Sequence, residues 1–147
     1  MLDLKQYKYT GDTPKPVFNT TFYTGKDFYS DGDIEDNIIK LIAQNPTNDY
    51  EQTISENYSW PVFYHLTRIR QNILNWYPIN NDSDVLEIGC GMGAITELLC
   101  KKAQSVTAVE LSQKRATATY LRCRNYDNLE IIVGNLNDIQ FNKKYDY

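Results

Sequence analysis

At 147 residues the chain is long enough for one domain with a sizeable core, since domains cluster near ~100–150 residues. A hydrophobic share of 41% against 23% charged residues, with twelve tyrosines, argues against a chain disordered throughout. The net charge of −4 and a pI near 4.9 offer no general attraction to nucleic acid or to an anionic membrane. No apolar run approaches the roughly 18–20 residues of a membrane span, and the opening "MLDLKQYKYT" lacks the apolar core of a secretory signal, so the cytoplasm is the expected compartment. Cys90, Cys100 and Cys123 are widely spaced without a C-x-x-C pair, which fits reduced thiols, and His65, the only histidine, cannot build a polyhistidine metal site.

In chain order, Met1 to Gly32 is turn-rich ("TPKPVF", "YTGKDFYSDGD") and predicts irregular structure or a short hairpin. Asp31 to Asp33 then lead into "IEDNIIKLIAQNP", where Ile34, Ile38, Leu41 and Ile42 fall at helical spacing and Pro46 closes the segment. After a polar stretch, "WPVFYHLTRIRQNILNWYP" predicts a second, longer helix with Val62, Phe63, Leu66, Ile69, Ile73, Leu74 and Tyr77 on one stripe and Pro61 in its first turn. From Asp84 the texture alternates: "DVLEIG", "AITELLCKKA", "SVTAVEL", "QKRATATYLRCRN", "LEIIVGN". Short β-branched runs between helical stretches are the pattern of βαβ units, predicting an α/β fold with three parallel strands in order 3-2-1 at Asp84–Ile88, Ser105–Val109 and Glu130–Val133. The right-handed crossover rule places the two intervening helices on one face.

Gly89, Gly91 and Gly93 stand where the first of these strands turns into its helix, the place where ligands bind in open parallel sheets. Glycine permits positive φ and lets a ligand approach the backbone. Gly89, Gly91 and Ala94 also satisfy the dinucleotide fingerprint, with Glu110 about twenty residues on, so a nicotinamide dinucleotide oxidoreductase remains an alternative. Glu87 tilts the choice, because a carboxylate before the loop would face the pyrophosphate and better suits a ligand carrying positive charge. A tight turn that binds nothing, in a non-catalytic interaction module, is the third alternative.

The motif "EIGCGMG" at Glu87 to Gly93 resembles the first motif of the class I S-adenosylmethionine-dependent methyltransferases, an acid followed by G-x-G-x-G. "VTAVELS" is similar to their acid-ended second strand and "IIVGNLNDI" to their third strand and its adenine-side loop. The resemblance implies a Rossmann-like fold and S-adenosyl-L-methionine as cofactor. Glu87 would lie near the methionine end, and Gly89, Cys90, Gly91 and Gly93 would line the loop beneath methionine and ribose. Glu110 would accept both ribose hydroxyls, a pairing that wants an acid rather than an amide. Leu111 would flank the adenine, and Asn135 and Leu136 would follow the third strand, where "GN" replaces the family's frequent Gly-Asp, so that the adenine amino contact would come from the Asn135 carbonyl oxygen or be absent. "YSWPVFYHLTRIRQNILNWYP" resembles the helix before the first strand in methyltransferases found beside bacterial glycosyltransferase modules, which makes Tyr58 and Tyr64 candidates for closing over the cofactor and favours a glycan-linked acceptor. "GAITELL" with "VTAVEL" is also similar to the ribosomal RNA adenine dimethylases.

Lys114, Arg115, Arg122 and Arg124 could touch phosphates, but a solvated outer helix face is the expected reading, and a nucleic-acid partner is not. Cys90 reads as a small loop residue rather than a nucleophile. The division expected is an extension over residues 1–56 carrying one helix and a cofactor-binding half over 57–147. "KYDY" resembles the start of the family's fourth strand, so the domain is read as truncated, the catalytic residues as unlocated and the chain alone as inactive. The edge of the first strand at Val85, Leu86 and Ile88 would then be covered by the N-terminal segment, by Lys144–Tyr147 or by a second chain, a homodimer being the favoured outcome.

Overall fold

A computed structural model describes residues 3–27 and 32–147; Asp31, expected just ahead of the first helix, lies outside them. The secondary elements are β1 (Val17–Phe22), α1 (Asp33–Ala43), α2 (Glu51–Glu56), α3 (Trp60–Leu66), α4 (Asn72–Asn75), β2 (Asp84–Ile88), α5 (Thr96–Lys102), β3 (Ser105–Glu110), α6 (Gln113–Arg122) and β4 (Leu129–Gly134). Short 3-10 turns at Leu4–Tyr7, Arg68–Gln71 and Leu136–Asp138 complete the course. Among the described residues no helix is long and apolar enough to cross a membrane.

The sheet has four strands in order β1-β4-β3-β2, and all three pairings are parallel. The predicted 3-2-1 order is therefore present as β4-β3-β2. β1 is an addition: the segment read as irregular or as a hairpin is an edge strand, with Val17 opposite Glu130 and Phe22 opposite Gly134. Its sequence, VFNTTF, carries polar residues that an edge tolerates, and the Asn19 amide donates to Glu130 Oε1 at 3.1 Å across the pair.

One face of the sheet packs Val85, Val106, Ala108, Ile131 and Val133 against Leu99 and Cys100 of α5 and Ala116 of α6, so both crossover helices share that face. On the other face Leu86 and Phe22 pack against Val109, Ile132 and Ile139. A separate core lies outside α6, where Ile38, Ile39 and Ile42 of α1 meet Tyr50, Leu66, Ala118 and Leu121. Full burial of each isoleucine contributes about 2 kcal/mol, which fastens α1 to the domain. α6 is thus covered on two sides, and its small Ala and Thr residues are what allow it.

The second predicted helix is broken. α3 stops at Thr67, which takes extended angles (φ −62°, ψ 142°), and its side chain accepts from the Ile69 amide to start the 3-10 turn. The expected stripe consequently fails beyond Leu66, and Ile69 and Ile73 are 62% and 71% exposed.

The edge of β2 is not left open. The Asp146 amide donates to the Asp84 carbonyl at 2.8 Å and the Leu86 amide to the Tyr147 carbonyl at 3.0 Å, so the chain's own residues take these positions in place of the favoured second chain. A dimer through this edge would have to displace them.

Candidate functional site

Gly89, Gly91 and Gly93 have φ of +75°, +57° and +79°, the left-handed region in which side chains are strained. A Cβ on Gly89 or Gly91 would meet no atom within 4 Å, whereas on Gly93 it would stand 3.0 Å from Thr119 Cα. The first two glycines therefore hold space open, and the third lets the loop pack on α6. The Gly89 and Cys90 amides both donate to the Val109 carbonyl, at 2.9 and 3.1 Å, and Gly93 donates to Cys90 O at 3.0 Å. From α6, Thr119 Oγ1 donates to Gly91 O at 2.8 Å; from the turn before β2, Gln71 Nε2 donates to Ala94 O at 3.1 Å. The helix expected from Ala94 begins at Thr96.

Glu110, the last residue of β3, is 8% exposed. Its carboxylate spans two backbone donors: Gly91 N–H reaches Oε2 at 2.8 Å and Ser112 N–H reaches Oε1 at 3.0 Å. Each oxygen keeps a lone pair free for a further donor. Leu111 beside it is exposed. Across β4, Asn135 is exposed and its Oδ1 accepts from the Asn137 amide at 3.1 Å, so the oxygen expected to face an adenine amino group already holds its own turn. Leu136 is half-buried.

Glu87 ends beneath the loop. Its Oε2 is buried and, like the Thr96 hydroxyl beside it, makes no hydrogen bond of good geometry, the two groups interacting only loosely. Burial pushes the carboxyl up from 4.5 to about 7, the Glu110 charge adds to this, and Thr96 and Arg70 oppose it. The Arg70 guanidinium lies 4.5 Å from the centre of the Tyr64 ring, which places Tyr64 one step from Glu87 through a cation–π contact. Tyr58 is 72% exposed and its ring contact is Phe63, at 6.5 Å, rather than the loop. Cys90 is buried with its Sγ 3.7 Å from Thr119 Oγ1, and burial with the charges of Glu87 and Glu110 drives its thiol well above the usual range. It is a packing residue of the loop, not a nucleophile.

The cations of α6 and the turn after it do not form a solvated outer face. Arg122 and Arg124 are 1% and 7% exposed; Arg122 Nε approaches Glu97 at 3.4 Å, and Arg124 donates to the carbonyls of Ile42 and Asn45. Arg115 pairs with the buried Glu35 at 2.6 Å and Lys114 with Asp36 at 3.0 Å, so these two cations hold α1. Spacing alone cannot show this, because every partner lies on another element. A recess of about 620 Å³ lies away from the glycine loop, lined by Leu4, Tyr9, Pro14, Phe18 and Tyr120.

Sequence reasoning missed Asp27, Ser112, Thr119, Arg70 and Thr96. Ser112 alone carried a local signal, as an N-cap whose hydroxyl accepts from the Arg115 amide at 3.2 Å. Asp27 accepts from Ser112 Oγ at 3.2 Å, Gln113 N at 2.8 Å and Lys114 N at 3.1 Å, a set assembled only by the path of β1.

Comparison with known proteins adds four findings. The family model described as Nodulation protein S (NodS) matches residues 64–147, more than half of the chain. The ribosomal RNA small subunit methyltransferase A of Streptococcus thermophilus is 38% identical over 95 residues, covering 65% of this chain and 31% of that protein. The malonyl-(acyl-carrier protein) O-methyltransferase of Priestia megaterium is 35% identical over 69 residues, covering 46% and 25%. Among solved structures, the crystal structure of N-methyltransferase NodS from Bradyrhizobium japonicum in complex with S-adenosyl-L-homocysteine aligns with a TM-score of 0.44 at 18% identity, over 75% of this chain and 54% of that one. The chain spans about a third or less of the length of the curated relatives it matches.

Proposed function

We propose, from the premise that the chain belongs to the Nodulation protein S family of class I S-adenosylmethionine-dependent methyltransferases, that its glycine loop and the acid of β3 hold S-adenosylmethionine for transfer of a methyl group. The observation that carries this reading is the Glu110 carboxylate, fixed at the end of β3 by the Gly91 and Ser112 amides with a lone pair on each oxygen still available. Two vicinal ribose hydroxyls supply two donors at matching spacing, and bonds to an ionised acceptor are the stronger kind.

The other residues take roles around that anchor. Gly89 and Gly91 leave space for the backbone to approach the ligand, with Cys90 and Gly93 completing the loop. Glu87, with a buried oxygen that makes no hydrogen bond of good geometry, favours an ammonium at the methionine end and opposes a pyrophosphate, which weighs against the dinucleotide alternative. Leu111 offers an exposed apolar surface to one face of the adenine, and Asn135 and Leu136 border the other side. Tyr64 acts through Arg70 at the methionine end, and Tyr58 could reach the ligand only by moving from its place against Phe63.

When bound, the cofactor supplies an electrophilic methyl on sulfonium. The chain's own contribution is to hold ribose and methionine so that an acceptor can approach in line, where positioning does most of the work. For the acceptor we favour the glycan-linked class to which the segment before β2 bears resemblance. We assign the cofactor residues to 57–147 and treat 1–56 as an extension that lends β1 to the sheet and α1 to the helix layer. Three buried free thiols fit a reducing cytoplasm.

Calorimetric titration tests the reading. S-adenosylhomocysteine should bind the wild type, and Glu110→Ala should weaken it by about 2 kcal/mol, the cost of losing charged hydrogen bonds. Preference for NAD, or an affinity for S-adenosylhomocysteine indifferent to Glu110→Ala, would overturn it.

A further inference from the structure

β1 runs parallel to β4, so its carboxyl end emerges at the same end of the sheet as the glycine loop and Glu110. Gly134 lets it do so: a Cβ there would stand 2.6 Å from Phe22 Cβ. The chain continues through Tyr23 to Asp27, whose carboxylate receives the two free first-turn amides of α6, Gln113 and Lys114, together with the Ser112 hydroxyl. These amides have no partner within the helix, and a negative charge suits them.

Ser112 is the hinge of the arrangement. It is 1% exposed; its hydroxyl donates to Asp27 and accepts from Arg115, while its own amide donates to Glu110 Oε1. Glu110 in turn holds Gly91 through Oε2. A continuous series of hydrogen bonds therefore runs from Asp27 through Ser112 and Glu110 to the glycine loop, crossing from the N-terminal segment to the candidate site.

We infer that Asp27 is a positioning residue for Glu110: by fixing Ser112 it sets the orientation in which the β3 carboxylate meets the two ribose hydroxyls. The inference rests on the cofactor reading above and assigns to residues before α1 a part in ribose recognition. A plain helix cap would support folding alone, without distinguishing one ligand from another.

The test pairs two ligands and one measurement without ligand. Asp27→Ala should weaken S-adenosylhomocysteine about tenfold and its 2′,3′-dideoxy analogue less than about twofold, since the analogue has no hydroxyls to orient. Asp27→Asn, which keeps one acceptor oxygen, should recover part of the loss, and Asp27→Ala in a Glu110→Gln background should add nothing. In ligand-free protein, Asp27→Ala should speed hydrogen exchange at the Gly91 amide while the Cys123 amide, bonded to Thr119 O within α6, keeps its protection. Equal losses for both ligands, or an unchanged Gly91 exchange rate, would overturn the inference. If the wild type took up no S-adenosylhomocysteine, the ligand assignment would fall, and the exchange rate at Gly91 alone would decide whether Asp27 positions Glu110.

Discussion

Gly91 donates its amide hydrogen to Glu110 Oε2 at 2.8 Å, so the loop after β2 and the last residue of β3 form one unit before any ligand arrives. Glu87, which ends β2 just before the same loop, has its proton affinity raised chiefly by burial, with a smaller contribution from the Glu110 charge. The site thus combines one acid anchored by two backbone donors with one whose proton affinity burial raises.

That contrast makes binding depend on pH. The Glu87 carboxyl stands at about 7 in the free protein, and a cationic group brought beside it favours the ionised form. Affinity for S-adenosylhomocysteine should rise by up to about tenfold per unit below pH ~7 and level off above it. Calorimetry across that range should show the slope in the wild type and lose it in Glu87→Gln.

The same group acts oppositely on folding. Its folded pKa lies above the usual 4.5, so between about 4.5 and about 7 the native state binds more protons than the unfolded chain and stability falls as pH rises. Glu87→Gln should remove this fall in denaturant unfolding, leaving a variant more stable at neutral pH that binds the ammonium group of the ligand less well.

Two glycines with the same backbone sign should answer substitution differently. Gly89→Ala meets no atom, so it should lower stability by only about 1–2 kcal/mol, the strain of positive φ, while obstructing the ligand. Gly93→Ala adds a clash with Thr119 Cα at 3.0 Å and should lower the melting temperature further. Thermal unfolding measured beside ligand titration separates the two effects.

Arg122 and Glu97 are both buried, and the Arg122 guanidinium also donates to His65 O at 2.8 Å. Removing one partner strands a charge in the interior, which costs about 3–5 kcal/mol. Glu97→Gln should therefore lower the melting temperature by roughly 6–20 °C for a chain of this size. A double substitution to apolar residues of similar volume should recover most of the loss.

The edge of β2 gives a prediction about assembly. Deleting Asp146 and Tyr147 frees the Leu86 amide and the Asp84 carbonyl and should promote self-association, because unpaired edges recruit other strands. Sedimentation over a concentration series should show the shortened chain to be the more associated of the two.

The three later strands and the glycine turn were legible because their signals are local: β-branched runs, an acid, and glycines at alternate positions. β1 was not, since VFNTTF alternates too weakly and owes its place to a partner strand remote in sequence. The break at Thr67 hid behind a continuous apolar stripe, for periodicity cannot register one residue turning extended. The α6 cations were misread for a related reason: Glu35, Asp36 and Glu97 neutralise them across space, and nothing in "QKRATATYLRCRN" announces those acids. Glu110 was placed by its position at a strand end, but its companion Asp27 depends wholly on tertiary arrangement.

The pairing of β1 with β4 also bears on how the chain is made. Val17 must wait for Glu130, whereas Asp84 needs only Ser105, so β1 closes a loop roughly five times longer than its neighbours do. Loop-closure entropy then sets it back by ~1.5 kcal/mol relative to β2 and β3. During translation residues 17–22 remain without their partner until residues 129–134 have also left the ribosome. The central strands can register first, and β1, with Asp27 behind it, is expected to dock after them because its pairing spans the greatest sequence separation.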